Sequence, residues 1–372
     1  MFAPSEGVPK ALALRVMNRQ IIAAVLMCIS ANAAATAPTN HAKVVPEKVL
    51  IFKDWAVGCD NGLACQAVGL LPEGLPEGSL SIVVARAEGV NGALSVEMSG
   101  FASKSDRYRI VIDGRIANTG SVPVGGEIVT ITGADAMNLM RALAKGRMLR
   151  LIDGAGVLLG SASLSGASAA FRYADSAQGR AGSRGAIIAT GSKIAAAKKS
   201  VLPVITAQKI KPTNNLPDAG ALVALSESSP CAAERFGPTE DSTYSLGVGT
   251  IGPEALVLLN CGSGAYNFSS GIYTGQRDAK GKWNFEPAKF DYGAAGFSID
   301  SKIPVLINAG WDTATQSISS YAKGRGIGDC GSSENFVWDG DMFRLTGAAV
   351  MEECRGSVDW IPVWRAEIRL VD

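Results

Sequence analysis

The 372-residue chain has a single histidine, His41. That scarcity removes histidine-based triads, His-rich zinc sites and most acid–base pairs that use imidazole. An excess of charge is also missing. Thirty-five basic residues stand against 34 acidic ones, a net +1, whereas a general nucleic-acid binder is clearly basic. No Cys-x-x-Cys occurs, which excludes a thioredoxin-like redox motif and the usual zinc modules. No apolar run approaches the roughly 20 residues that span a bilayer, so the mature chain is expected not to cross a membrane.

What is present begins with a leader. Lys10, Arg15 and Arg19 precede an apolar run from Ile21 to Ile29, and Ala31-Asn32-Ala33 follows with small residues where a signal peptidase reads. This is the n-, h- and c-region pattern of a secretory signal over residues 1–33. Cleavage is expected before Ala34. Met17 is an alternative start, with residues 1–16 as an over-extended reading frame. Cys28 lies inside the apolar run. The other six cysteines, Cys59, Cys65, Cys231, Cys261, Cys330 and Cys354, form an even set in an exported chain, which reads as a disulfide framework. Six cysteines allow 15 connectivities. Sequential pairing, Cys59–Cys65, Cys231–Cys261 and Cys330–Cys354, keeps every bridge inside one candidate domain and is the expected map.

Hydrophobic content of 47% supports real cores, and 43 glycines favour turn-rich β structure over helical bundles. Residues 34–48 are a flexible leader. β signals then recur from Val49 onward, with turns at Asp60-Asn61-Gly62 and Asp113-Gly114. Helical spacing of Ala136, Leu139, Met140 and Leu143 predicts one helix, and a second is predicted from Ser165 to about Gln178. Ala186–Ala189 is expected to close the sheet. Seven basic residues and no acid lie between Asp175 and Asp218, with Pro203, Pro212 and Pro217 among them. Residues 191–217 therefore read as a basic Pro/Lys linker. From Cys231 onward the chain carries 18 acids, 12 bases and five of the six tryptophans. Short apolar runs there alternate with Gly, Asp and Asn, as in an antiparallel β domain. A short helix is expected ahead of it at Ala219–Leu225. The expected fold class is α+β, predominantly antiparallel β, in two disulfide-stabilised β-rich domains: residues 49–190 with two helices, and residues 218–372.

Chemistry-bearing motifs are sparse. Gly326-Ile327-Gly328-Asp329-Cys330-Gly331 matches the dinucleotide fingerprint in letters, but a polar segment precedes it and Phe336-Val337-Trp338 follows the turn after it. The strand–turn–helix context that the mechanism needs is not predicted. Ser320-x-x-Lys323 matches an acyl-enzyme motif whose companion motifs are absent. Asp329, Asp339, Asp341, Glu352 and Glu353 cluster in sequence. Paired carboxylates can hydrolyse glycosides. The plainer use of these acids is turn chemistry and ion pairs with Arg325, Arg344 and Arg355. No residue is nominated as catalytic, cofactor-binding or metal-ligating, and no cofactor is expected. The nominated interaction patch is Arg325, Asp329, Trp338, Asp339, Asp341 and Arg355. The Cys330–Cys354 bridge is expected to gather it, and Trp338 to offer a stacking face.

Several motifs resemble a proteobacterial exported family, domain of unknown function 1176. They are Phe52-Lys53-Asp54-Trp55-x-Val57-x-Cys59-Asp60-Asn61 with Cys65, Ser163-Leu164-Ser165-Gly166, Asp175-x-x-Gln178-Gly179-Arg180, Gly264-Ala265-Tyr266-Asn267, Gly324–Gly331, Trp338-Asp339-Gly340, Glu353-Cys354-Arg355-Gly356 and Pro362-Val363-Trp364-Arg365. The resemblance covers roughly residues 50–370, the linker excepted. The front half also resembles, distantly, the invasion-associated locus B proteins, small exported β domains. The resemblance implies an exported protein of unassigned activity and carries no catalytic residue. Together these features point to a periplasmic, non-enzymatic binding or envelope-interaction module, whose partner is an envelope polymer or protein and not nucleic acid. The alternative is an envelope-glycan hydrolase using acidic residues of the C-terminal domain.

Overall fold

The computed structural model describes residues 44–72, 77–194, 200–233, 241–247, 253–294 and 302–371. The expected signal segment, Cys28, His41 and most of the leader lie outside them. In the first half the strands are β1 (Leu50–Phe52), β2 (Trp55–Cys59), β3 (Cys65–Gly69), β4 (Ser81–Arg86), β5 (Leu94–Ser99), β6 (Arg107–Ile112), β7 (Arg115–Ser121), β8 (Ile128–Thr132), β9 (Met148–Asp153) and β10 (Leu158–Ser163). The helices are α1 (Gly133–Leu143) and α2 (Ala167–Ala177). One antiparallel sheet runs β1-β2-β3-β4-β5-β8 and a second runs β10-β9-β6-β7. Inward residues of both, with Leu139, Met140 and Leu143 of α1 and Phe171 of α2, build the first core.

The second half adds β11 (Val204–Gln208), α3 (Ala219–Ser228), β12 (Ser242–Ser245), β13 (Ala255–Ser263), β14 (Phe268–Arg277), β15 (Trp283–Pro287), β16 (Val305–Ile307), β17 (Gly310–Asp312), β18 (Ser317–Lys323), β19 (Gly331–Trp338), β20 (Phe343–Met351), β21 (Ile361–Arg365) and β22 (Glu367–Val371). These give a sheet ordered β12-β13-β14-β15, with β16 on β14, and a sheet ordered β17-β18-β19-β20-β21. The strands are mostly antiparallel. β11 and β22 pair in parallel, so the stretch read as a linker contributes a strand to the C-terminal end of the chain. The disulfides are Cys59–Cys65, Cys231–Cys261 and Cys330–Cys354.

Side-chain alternation explains how the halves meet. β2 is buried along its whole length. Its period of two sends Trp55 and Val57 into the first core, and Ala56 into a second core with Val68, Leu345, Ile361 and Val363. A Cβ on Gly58 would stand 2.8 Å from the Ile361 side chain, so glycine is what lets β21 approach β2 there. Polar contacts reinforce the joint. Arg365 pairs with buried Asp60, Asn61 exchanges hydrogen bonds with the Arg365 backbone at 2.7 and 2.9 Å, and the Gln66 amide reaches the Trp360 carbonyl at 3.3 Å. All the described residues fall within one compact unit.

Two local expectations change. Ala186–Ala189 forms no strand. Instead the backbone N–H groups of Ile187, Ile188 and Ala189 converge on the fully buried Asp175 carboxylate at 2.8–3.1 Å. Charge-assisted bonds to one carboxylate satisfy three donors that a strand would have paired elsewhere. Arg180, counted among the linker-side cations, is likewise buried. It donates to Gln178 Oε1 at 2.9 Å and to the Val90 carbonyl at 2.8 Å.

Candidate functional site: a polar cleft on the C-terminal sheet

The six nominated residues fall into two groups. The glycine-rich segment is the hairpin loop between β18 and β19, which pair antiparallel. Strand β19, not a helix, follows it, so the helix N-terminus that would receive a pyrophosphate is replaced by a strand. The loop is closed from inside. Arg325 Nε donates to Asp329 Oδ1 at 2.6 Å, the second carboxylate oxygen meets Arg325 Nη2, and the Gly356 N–H reaches it at 2.6 Å. These hydrogen bonds, Arg325 foremost, outweigh burial and hold the Asp329 carboxyl below its ordinary range. Gly331 sits at φ 139°, and any Cβ there would strike the Ala322 carbonyl. Arg355 turns toward the first half and donates to the Asp54 carboxylate at 2.8 Å and to the Leu71 and Lys53 carbonyls at 3.1 and 3.2 Å.

The other group lies at the far end of β19, roughly 20 Å away at about 3.3 Å per residue. Trp338 is 4% exposed and packs on Phe343, with ring centroids 5.0 Å apart. It is a core residue, not a stacking face. Asp339 Oδ1 accepts from the Asp341 and Met342 N–H groups, both at 2.9 Å, as a turn-forming aspartate does. Arg344 lies 3.1 Å from Asp291 and 3.8 Å from Asp339. Two of the expected ion-pair cations, Arg325 and Arg344, therefore do meet acids of the sequence cluster, while Arg355 pairs outside it.

At this second end the backbone builds a cleft of about 370 Å³. In the β14–β15 hairpin Thr274 faces Glu286 and Gln276 faces Asn284, which places four polar side chains on one face. Hydrogen bonds between the backbones of Lys289 and Phe343, and of Asp291 and Phe343, bring Lys289 beside the β19–β20 turn. Its Nζ contacts Asp341 at 2.8 Å. That hydrogen bond raises the Lys289 pKa. At the opposite rim Glu254, 5% exposed, accepts from Arg277 Nε at 3.1 Å and Nη2 at 2.5 Å. The arginine hydrogen bonds dominate over burial and lower the Glu254 pKa. The same guanidinium stands 5.5 Å from the Trp283 ring centroid. The floor is thus hydrogen-bonding, set between two ion pairs.

Three carboxylates line the cleft, those of Asp278, Glu286 and Asp341. Asp278 is occupied by the N–H groups of Lys280 and Lys282 at 2.8 and 2.9 Å, and Asp341 by Lys289. Glu286 is solvent-exposed. Among the described residues no group of three or more His, Cys, Asp and Glu side chains is placed to hold a metal ion. Only Asp341 of the cleft was nominated from sequence. The readable signal for the rest was the alternation Thr274-x-Gln276 and Asn284-x-Glu286.

The model of a family of proteins of unknown function, DUF1176, matches residues 50–367. The chain belongs to that family. It is 26% identical over 357 residues to the uncharacterized protein YpfG of Escherichia coli (strain K12), covering 89% of this chain and 96% of that one. Invasion-associated protein B of Bartonella henselae, a solved structure, matches with 18% identity and a TM-score of 0.28, over 35% of this chain and 98% of that one. In this DUF1176 chain most of the motifs that carried the family resemblance fall at structural joints. Asp54, Asp60 and Asn61 meet Arg355 and Arg365 across the halves, Asp175, Gln178 and Arg180 form the buried network, and Gly324–Gly331 is the closed hairpin loop.

Proposed function

We propose that the protein is exported to the periplasm and acts there as a non-enzymatic binding module, capturing a hydroxyl-rich envelope ligand of the saccharide class in the β14–β15 cleft. The observation that carries this reading is the two facing pairs of polar side chains, Thr274 with Glu286 and Gln276 with Asn284, on a floor between two ion pairs. One hydroxyl, two amides and an exposed carboxylate suit a ligand dense in O–H groups, and cations already paired leave no unpaired positive charge in the cleft to select an anion. Three disulfides and the leader pattern support the compartment. No helix among the described residues is long and apolar enough to cross a membrane.

The hydrolase reading rests on the three carboxylates of the same cleft, and one experiment separates the two. Purified cell-wall sacculi are incubated with the protein, and both co-sedimentation and release of reducing ends are measured. Retention without reducing ends, lost in the Gln276→Ala/Asn284→Ala variant, is the expected result. Reducing-end release abolished by Glu286→Gln would establish hydrolysis instead. Absence of retention would overturn the binding reading.

A further inference from the structure

The outward face of the β10-β9-β6-β7 sheet carries a second, unrelated surface. Alternation places Tyr108, Ile110, Leu149 and Leu151 in the first core. The intervening positions of the same strands, Arg107 and Arg109 on β6 and Met148 and Arg150 on β9, therefore face outward. Neighbouring strands add Ile116, 60% exposed, and Leu158, 54% exposed; Met148 is 40% exposed. Cross-strand register interleaves the two chemistries, for Arg109 faces Ile152, Ile152 faces Leu158, and Val111 lies between Arg150 and Ile116.

Charge on this face is one-sided. The four strands hold a single acid, Asp153, which is 1% exposed on the inward side and bonded to the Ala155 and Val157 N–H groups. Among the described residues Arg107, Arg109 and Arg150 make no ion pair, whereas Arg277, Arg325, Arg344, Arg355 and Arg365 each have at least one. β7 is an edge strand of the sheet, and among the described residues no strand pairs beyond it.

We propose that this face docks on an anionic phospholipid bilayer. Guanidinium groups bind phosphate oxygens in paired hydrogen bonds. Aliphatic side chains set between them can enter the headgroup–acyl boundary, which a purely polyanionic partner does not reward. Charge complementarity and the interleaving of Arg with Ile, Met and Leu together select a bilayer over a soluble polyanion. Such docking leaves the chain peripheral and crosses no membrane.

The test is sedimentation of the protein, as recovered from the expressing bacterium, with phosphatidylglycerol–phosphatidylcholine vesicles and with phosphatidylcholine vesicles alone. Binding is expected to the anionic vesicles only and to weaken as salt is raised. Each cation near an anionic surface contributes about 1 kcal/mol, so removing three in Arg107→Ser/Arg109→Ser/Arg150→Ser predicts a loss of roughly a hundredfold. Ile116→Ser/Leu158→Ser, which alters only exposed positions, is also expected to weaken binding, by about tenfold or more. A near-UV circular dichroism spectrum unchanged from the parent shows that each variant is folded. Equal binding to both vesicle types, or unaltered binding by the folded arginine variant, overturns the proposal. Retention on heparin with no retention on anionic vesicles also overturns it and identifies a polyanion as the partner.

Discussion

Arg365→Ala isolates the polar joint between the two halves. The side chain holds the carboxylate of Asp60, which is 1% exposed and otherwise accepts only the Ala64 N–H, at 3.0 Å. Removing one partner of a buried pair costs about 3–5 kcal/mol, because the other charge is left desolvated. Here the guanidinium keeps 38% of its surface, and water reaching the vacated space reduces the loss to roughly 2–3 kcal/mol. The contact with Glu88, itself 48% exposed, adds little. The Asn61 hydrogen bonds use the Arg365 backbone and survive. At about 2–4 °C per kcal/mol the thermal midpoint drops by roughly 5–10 °C. Urea unfolding followed by both tryptophan fluorescence and far-UV circular dichroism reads cooperativity at the same time. Because β2 lies in both cores, a single coincident transition is expected in the parent and the variant. Two separated transitions in the parent would instead establish two independently folding domains, residues 49–190 and 218–372. A double-mutant cycle with Asp60→Ala should give a coupling of about 1–2 kcal/mol. A coupling near zero refutes the joint as an energetic contact.

Asp175→Asn should cost about 2–3 kcal/mol, since three N–H groups lose a charged acceptor in a buried site. The loss is read as a shift in urea midpoint, and a change within error would refute the role assigned to that carboxylate. Acid should destabilise the fold. Arg277 hydrogen bonds hold Glu254 below its ordinary value, and Arg325 does the same for Asp329. Burial pushes Asp54 up, but hydrogen bonds from Arg355 and Ser163 leave it lowered. Groups with depressed folded pKa values stabilise above their unfolded values, near 4, and lose that contribution as pH falls through the folded ones. Asp291, raised by burial, acts in the opposite direction. Asp312, lowered by its Thr315 hydrogen bond, joins the lowered groups. Four lowered groups against one raised group predict a net fall in the urea midpoint between about pH 5 and pH 2, and a flat profile there would contradict the assignments.

Much of the architecture was legible because period and turn chemistry are local. Ala136, Leu139, Met140 and Leu143 marked α1, the helix expected from Ser165 to about Gln178 matches α2, and sequential pairing of cysteines matches the three bridges. What failed depended on partners distant in sequence. β11 lies inside the stretch read as a basic Pro/Lys linker, and its alignment with Glu367–Val371 makes it a strand. Ala186–Ala189 looked like a closing strand, yet the Asp175 carboxylate gave its N–H groups a better acceptor. Nothing in the run Trp55–Cys59 announced Ile361 and Val363 as the cover of its second face. The cleft was missed for a related reason. Thr274 and Glu286 become neighbours only through hairpin register, whereas the proximity of Asp329 to Asp339 in sequence suggested a cluster that an eight-residue strand pulls apart.

The double-sided burial of β2 has a kinetic consequence. The strand emerges early in synthesis and can pair with β1 and β3 at once, but the cover for Ala56 and Gly58 is about 300 residues further on, and β11 waits about half as long for β22. Contacts of such separation are paid for in loop-closure entropy before they return any stabilisation, which slows folding. Until β21 arrives, one face of the first sheet is an apolar template open to other chains. A chain truncated before Ile361 is therefore expected to aggregate or be degraded even though its first core is complete. The final dozen residues decide whether β2 is safely folded.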